Sequence, residues 1–152
     1  MFKGTVLSIH IAPTAEAAMQ SVEEVRAISG KGLEGDRYFN QTGTFSKPQP
    51  DRELTLIESE AVDALKAELG VDLEAGSIRR NIVTRGVPLN HLVGREFRLG
   101  EIKVRGIRLC EPCAHLAQLA HSAVLPGLVH RAGLRAQILT DGTIRVGETV
   151  TQ

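Results

Sequence analysis

Short β-branched segments, broken every few residues by Gly, Pro, Asn or Asp, most constrain what this chain can become. Residues 4–10, 22–28, 53–57, 81–84, 96–99, 102–107, 134–139 and 143–146 read as strands, and Asp141-Gly142 between the last two is a hairpin signal. A parallel sheet needs a helix between successive strands, and this chain has one clear candidate. In it Ser59 is placed as N-cap, Glu60 and Asp63 fall in the positive first turn, Val62, Leu65 and Leu69 form an apolar stripe, and Gly70 is the stop. A second, short helix is expected from Ala114 to about His121. Residues 29–52 carry turn formers and no sustained period, so they are expected to form a long functional loop. The expectation is a mostly-β single domain over 1–152, a closed or nearly closed β-barrel with a few short helices, because closure removes exposed strand edges.

At 152 residues and 42% hydrophobic content the chain can bury a real core. No apolar run reaches the ~18 residues of a membrane span, and Met1-Phe2-Lys3-Gly4 lacks the pattern of a signal peptide. The reading is a soluble cytoplasmic domain with no membrane partner. Two cysteines are too few for a disulfide scaffold. Aromatics at 3% without Trp argue against stacking on bases, so no nucleic-acid partner is expected. The zero net charge hides an asymmetry. Residues 1–78 hold 7 basic and 13 acidic side chains, whereas 79–135 hold 10 basic, nine of them Arg, and 3 acidic. Such a balance fits an anion pocket built by the second half, or two halves that merely attract each other.

Three motifs could carry chemistry. Gly30-Lys31-Gly32-Leu33-Glu34-Gly35 has dinucleotide-binding spacing but no helix pattern after it, so a glycine-rich turn or pocket loop fits better. Asp36-Arg37 behind it could order that loop or present Arg37 to an anion. Arg79-Arg80-Asn81 sits at a strand entry, where alternation lets at most one of the two arginines point inward unless a bulge intervenes. Cys110-Glu111-Pro112-Cys113-Ala114-His115 lies between a strand and the short helix. A CxxC can be a redox dithiol, half a zinc site, or one working thiol. Zinc would need two more ligands from His115, His121 or His130. Cys113 falls at the helix N-terminus, where unpaired N–H groups favour a thiolate, and Arg105 and Arg108 would add to this if they face the same pocket. Cys110 reads as buried and inert. His10, His91, His121 and His130 read as surface or satisfied-core histidines.

Taken in order, these segments resemble the MOSC domain, named after the C-terminal domain of molybdenum-cofactor sulfurases. The matching residues are Gly32-Leu33-Glu34-Gly35-Asp36-Arg37, Glu53-Leu54-Thr55-Leu56-Ile57-Glu58, Arg79-Arg80-Asn81-Ile82-Val83 and Gly86-Val87-Pro88-Leu89-Asn90, followed by Cys110-Glu111-Pro112-Cys113-Ala114-His115-Leu116, Arg131-Ala132-Gly133-Leu134-Arg135-Ala136 and Ile144-Arg145-Val146-Gly147-Glu148. The resemblance implies a β-barrel whose signature cysteine, here Cys113, carries sulfur or ligates molybdenum. It makes Arg37, Arg79, Arg80, Asn81 and Arg108 candidates for holding the molybdenum cofactor (molybdopterin), with Arg79 or Arg80 converging with Arg37 on one anion. The chain resembles a stand-alone, bacterial-type member. Pyridoxal phosphate, bound by a separate domain of the sulfurases, is not expected.

The leading reading is therefore a molybdenum-cofactor-linked domain. Cys113 would act as sulfur carrier or metal ligand, with reduction of N-hydroxylated compounds as its enzymatic form and a sulfur- or electron-donor protein as partner. The alternatives are a non-catalytic module binding a phosphorylated pterin-like anion, and a dithiol oxidoreductase that needs both cysteines.

Overall fold

In the computed structural model, which describes residues 1–40, 49–122 and 124–152, the β-branched segments pair into a ring. The strands are β1 (Lys3–Ile11), β2 (Gln20–Val22), β3 (Glu24–Ile28), β4 (Gly32–Leu33), β5 (Leu54–Glu58), β6 (Ile82–Arg85), β7 (Glu96–Leu99), β8 (Ile102–Leu109), β9 (Leu134–Ile138), β10 (Gly142–Arg145) and β11 (Thr149–Thr151). Seven of them close in the order β11-β7-β8-β9-β5-β6-β1, with β11 pairing back onto β1. Neighbours are antiparallel except β5 and β6, whose parallel pairing is bridged by helix α2 (Ser59–Leu69). This is the mostly-β closed barrel that the strand pattern predicts. β2 extends the sheet beyond β1, and β10, β3 and β4 form a separate three-stranded sheet. Short helices α1 (Arg37–Asn40), α3 (Ala114–Leu119) and α4 (Val124–Gly127) decorate the barrel. Among the described residues no helix is long and apolar enough to cross a membrane.

Period-2 alternation sorts the apolar residues into two cores. Leu56, Ile82, Phe97 and Leu134 fill the barrel, while Ile57 and Val83, one residue along, face outward against Ala61, Leu116 and Leu128. β1 departs from strict alternation. Its register against β6 shifts between Val6 and Ser8, so Leu7 is an extra residue. Val6 and Ile9 can then both enter the barrel core, and Ser8 and His10 turn to the outer face.

Several local expectations are corrected. Asp141-Gly142 makes no hairpin: β9 pairs with β8 and β5, and β10 pairs with β3. A two-residue type I′ turn needs positive φ at both residues, and only Gly142 has it. The Asp141 carboxylate instead accepts from the Ser29 N–H at 2.7 Å, anchoring the crossing into the smaller sheet. The segment 22–28 is not one strand but two, split at Glu23 between the two sheets. Ser59 is the first helical residue rather than the cap, a position taken by Glu58 without a side-chain bond, and Leu69 is exposed where Ala61 and Leu65 are buried. Gly70 does end the helix, in left-handed conformation. The loop 29–52 contains β4 and α1, and its residues 41–48 lie outside the described ones. Strand β11, which closes the ring, was not expected.

Two buried polar residues hold strands together. Asn81 is fully buried; its Oδ1 accepts from the Thr55 N–H at 3.0 Å and the Thr55 hydroxyl at 3.1 Å, and its Nδ2 donates to the His10 carbonyl at 3.0 Å. It thus ties β1 and β5 to the entry of β6. Glu53 is buried too, its Oε1 accepting from the N–H groups of Ile138 and Gly30 at 3.0 and 3.3 Å. Burial pushes its carboxyl above the ordinary value despite those bonds.

Asn81→Ala should cost about 3 kcal/mol in denaturant unfolding, since a buried N–H and a buried carbonyl lose their partner. For Glu53 the folded state binds the proton more tightly than the unfolded one. Its contribution is full below the ordinary value of 4.5 and is lost as pH rises through the folded value. Glu53→Gln keeps an acceptor without the charge, so its Tm should exceed that of the parent at about pH 7.5. The gap should shrink as pH falls toward about 4.5.

Candidate functional site

The site lies on the outer face of the barrel beside β1. A 3₁₀ turn at Ala75–Ile78 ends with Arg79 in left-handed conformation (φ 63°), its N–H bonded to the Gly76 carbonyl at 3.1 Å. A non-glycine residue held there stores on the order of 1 kcal/mol of strain, so the surroundings must fix it. They do: the Arg79 guanidinium donates to the carbonyls of Ala15 and Ala17, each at 2.7 Å. Arg37, the first residue of α1, donates through Nη2 to the Arg79 carbonyl at 3.3 Å and through Nη1 to Asp36 Oδ1 at 3.2 Å. That same oxygen of the fully buried Asp36 accepts the Ala12 N–H at 3.1 Å. Burial, and then the neighbouring Arg37 charge, push the Arg79 guanidinium below its ordinary value, with Asp36 opposing.

Arg79 also lines a pocket of about 410 Å³, together with His10, Met19, Ser21, Glu74 and Leu119. That volume lies within the range of small-molecule sites. Leu119 belongs to α3, the helix that begins at Cys113. Cys113 is the N-cap: its backbone is extended (φ −139°) and its Sγ accepts the Leu116 N–H at 3.5 Å. Its thiol is exposed and free, whereas Cys110, also free, is only 3% exposed. Cys110 is pinned by its N–H bond to the Gly133 carbonyl at 2.8 Å. Between the cysteines, Glu111 accepts from the His130 N–H at 2.6 Å and pairs with its Nδ1 at 2.6 Å.

The candidate residues do not all converge. Arg37 and Arg79 come together. Arg80 turns away, its Nε donating to the Ala132 carbonyl at 2.7 Å and its Nη2 to the Cys110 carbonyl at 3.0 Å, which supports the root of the cysteine loop. The two arginines diverge, and of the pair only Arg79 lines the pocket, but neither is the exposed surface residue that alternation on a strand would give: both are buried, at 8% and 7% exposure. Arg79 is in left-handed conformation and β6 starts only at Ile82, so strand alternation does not apply to them. Asn81 is committed to the framework as described. Arg108 is exposed and pairs with Asp51 at 2.8 Å, and Arg105 pairs with Glu96 at 2.6 Å, so each is engaged by a carboxylate rather than by Cys113. The GxGxxG segment forms a turn and the two residues of β4, followed by the four of α1 rather than a long helix. Among the described residues no group of three His, Cys, Asp or Glu could hold a metal ion, and the side chain of His115 lies outside those described.

Reading the residues alone missed His10. It is buried, its Nε2 lies 2.8 Å from the Ser8 hydroxyl, and burial pushes the imidazole below its ordinary value. The alternation of Ser8 and His10 in sequence is a faint signal. The bulge at Leu7 that aims them outward is legible only in the paired strands.

A family model described as the MOSC domain matches residues 9–151 of the chain. The fold is similar to that of the YuaD protein from Bacillus subtilis, with a TM-score of 0.83 at 15% identity, covering 99% of this chain and 97% of that one. YiiM from Geobacillus stearothermophilus is similar with a TM-score of 0.72 at 17% identity, over 97% of this chain and 74% of that one. YiiM from Escherichia coli follows at 0.63 and 18%, over 99% and 69%. A search of curated proteins found no match.

In the native protein, an alkylating reagent at about pH 7.5 should modify one thiol per chain, Cys113. Cys110 should react only after unfolding. Peptide mass mapping before and after denaturant checks this, and equal native labelling of both cysteines would remove the distinction between them.

Proposed function

The chain belongs to the MOSC domain family, and from that membership we propose a role in molybdenum-cofactor chemistry in which the Cys113 thiolate carries sulfur or ligates molybdenum. One observation carries the reading: the exposed thiol caps the same helix whose far end lines the Arg79 pocket, while its partner cysteine is buried. A thiolate is a soft ligand suited to a thiophilic metal, and its nucleophilicity equally suits sulfur relay.

The donor set fits a metal that arrives already held by an organic ligand. Protein side chains here offer no multidentate cluster, which excludes a bare ion held by several residues among those described. One available thiol, on the helix whose far end lines the Arg79 pocket, fits a cofactor that combines a metal with a phosphate-bearing pterin. When bound, that cofactor would supply two-electron redox chemistry such as reduction of an N-hydroxylated compound. Cys113 would supply one sulfur, its exposed Sγ already accepting the Leu116 N–H at 3.5 Å. Arg79 and Arg37, held in place by carbonyls and Asp36, would supply positive charge for the anionic part. Arg80 and Asn81 position rather than touch: one fixes the Cys110 carbonyl, the other the strand entry. A sulfur- or electron-donor protein would be the partner.

Anaerobic purification followed by molybdenum analysis and intact-mass measurement tests the reading. The parent protein should carry molybdenum or one added sulfur on Cys113, and Cys113→Ser should lose that load. A Cys113→Ser variant that keeps its load would leave a non-catalytic anion-binding module, and sulfur or disulfide chemistry that also needs Cys110 would revive the dithiol reading.

A further inference from the structure

His10 and Arg79 line one pocket, His10 from β1 and Arg79 from the end of the 3₁₀ turn, and charged neighbours act on Arg79. His10 sits on β1 opposite Ser21 of β2, with Ser8 at its Nε2. The 3₁₀ turn packs flat against the imidazole. A Cβ added to Gly76 would stand 2.9 Å from His10 Nδ1, so only glycine leaves room for the ring. The charged groups on the pocket lining are Glu74 and Arg79, both from the ends of that turn. Behind Arg79 stand Arg37, Asp36 and Glu16. β2 contributes the Ser21 hydroxyl and α3 the apolar Leu119.

We propose that this pocket takes up a divalent oxyanion together with a proton, the proton residing on His10. The proposal rests on the reading that Arg79 marks an anion site, and adds to it a second, conditional cation. In the free protein burial opposes charging His10, and the one carboxylate on the pocket lining, Glu74, is exposed to solvent at the start of the turn. An oxyanion held by Arg79 and the Ser21 and Ser77 hydroxyls would provide a counter-charge. Linkage then works in both directions. Anion binding draws a proton onto the imidazole, and lower pH tightens the anion. Between the titration points of the free and bound forms, affinity rises up to about tenfold per pH unit.

Inorganic sulfate is the probe, because its charge stays constant from about pH 8 to about pH 5.5, the range in which histidine titrates. Sulfate affinity and the His10 imidazole titration would be followed together by NMR. We expect affinity to rise as pH falls, the His10 titration to move upward with sulfate, and His10→Gln to bind sulfate equally at both ends of the range. Sulfate binding that depends on Arg79 but is flat with pH, with an unmoved His10 titration, would overturn the role of His10 while keeping the anion site. Binding indifferent to Arg79→Lys would overturn the anion site itself. If His10→Gln does not fold, the imidazole titration of the parent protein decides alone.

Discussion

Asn81 is wholly buried and spends its side chain on the backbone and hydroxyl of Thr55 and on the carbonyl of His10. Its own backbone bonds the same two residues: the Asn81 N–H donates to the Thr55 hydroxyl oxygen, and the Asn81 carbonyl accepts from the His10 N–H. Three strands that are distant in sequence are thereby locked in one register, at the parallel junction between β5 and β6. A parallel pair cannot be set by a tight turn, so its register depends on the crossover helix and on contacts of this kind. With that register set, the residues just before Asn81 leave the barrel in a fixed direction, and the residue opposite it, His10, is fixed on the outer face. The site depends on this one buried amide.

The placement of Arg79 and Arg80 follows from the same junction. They are neighbours in sequence, yet one guanidinium reaches the loop at Ala15 and Ala17 and the other the loop at Cys110 and Ala132. A left-handed backbone at Arg79 makes this divergence possible, turning the chain between the 3₁₀ turn and β6. Each arginine gathers carbonyls from loops that strand pairing alone would leave loose. Arg80 thus steadies the cysteine loop from below, and Arg79 builds the pocket wall.

Much of this was legible in the residues, and the failures have physical causes. The strand segments, the Gly70 stop and the place of Cys113 at a helix start follow from local chemistry that tertiary packing did not override. The buried face of α2 did not follow as drawn. Leu69 lies at the helix end, beyond the outer core, and the smaller Ala61 is covered instead. Asp141-Gly142 misled because a turn signal specifies a bend, whereas the partner strand is chosen by the whole sheet. The burial of both arginines and the place of His10 in the pocket were not legible, for a shared reason. Each depends on a single irregular residue, Arg79 with positive φ or the extra Leu7 in β1, and strict alternation has no term for either.

Buried cations need partners, and the choice of partner decides what a pocket can still do. Arg37, Arg79 and Arg80 are all buried, and the one carboxylate bonded among them is Asp36. Carbonyl oxygens fill most of the remaining positions. They satisfy the geometry of a guanidinium without cancelling its charge. Full pairing with carboxylates would have produced a neutral core of ion pairs, whose desolvation cost offsets their attraction. Carbonyl pairing instead leaves the Arg79 guanidinium without a bonded carboxylate at the pocket wall, at a position held by its two carbonyl bonds. An anion bound as proposed would meet donors already in place and no competing carboxylate bonded to Arg79 among the described residues. Its binding would then require little reorganisation of the chain.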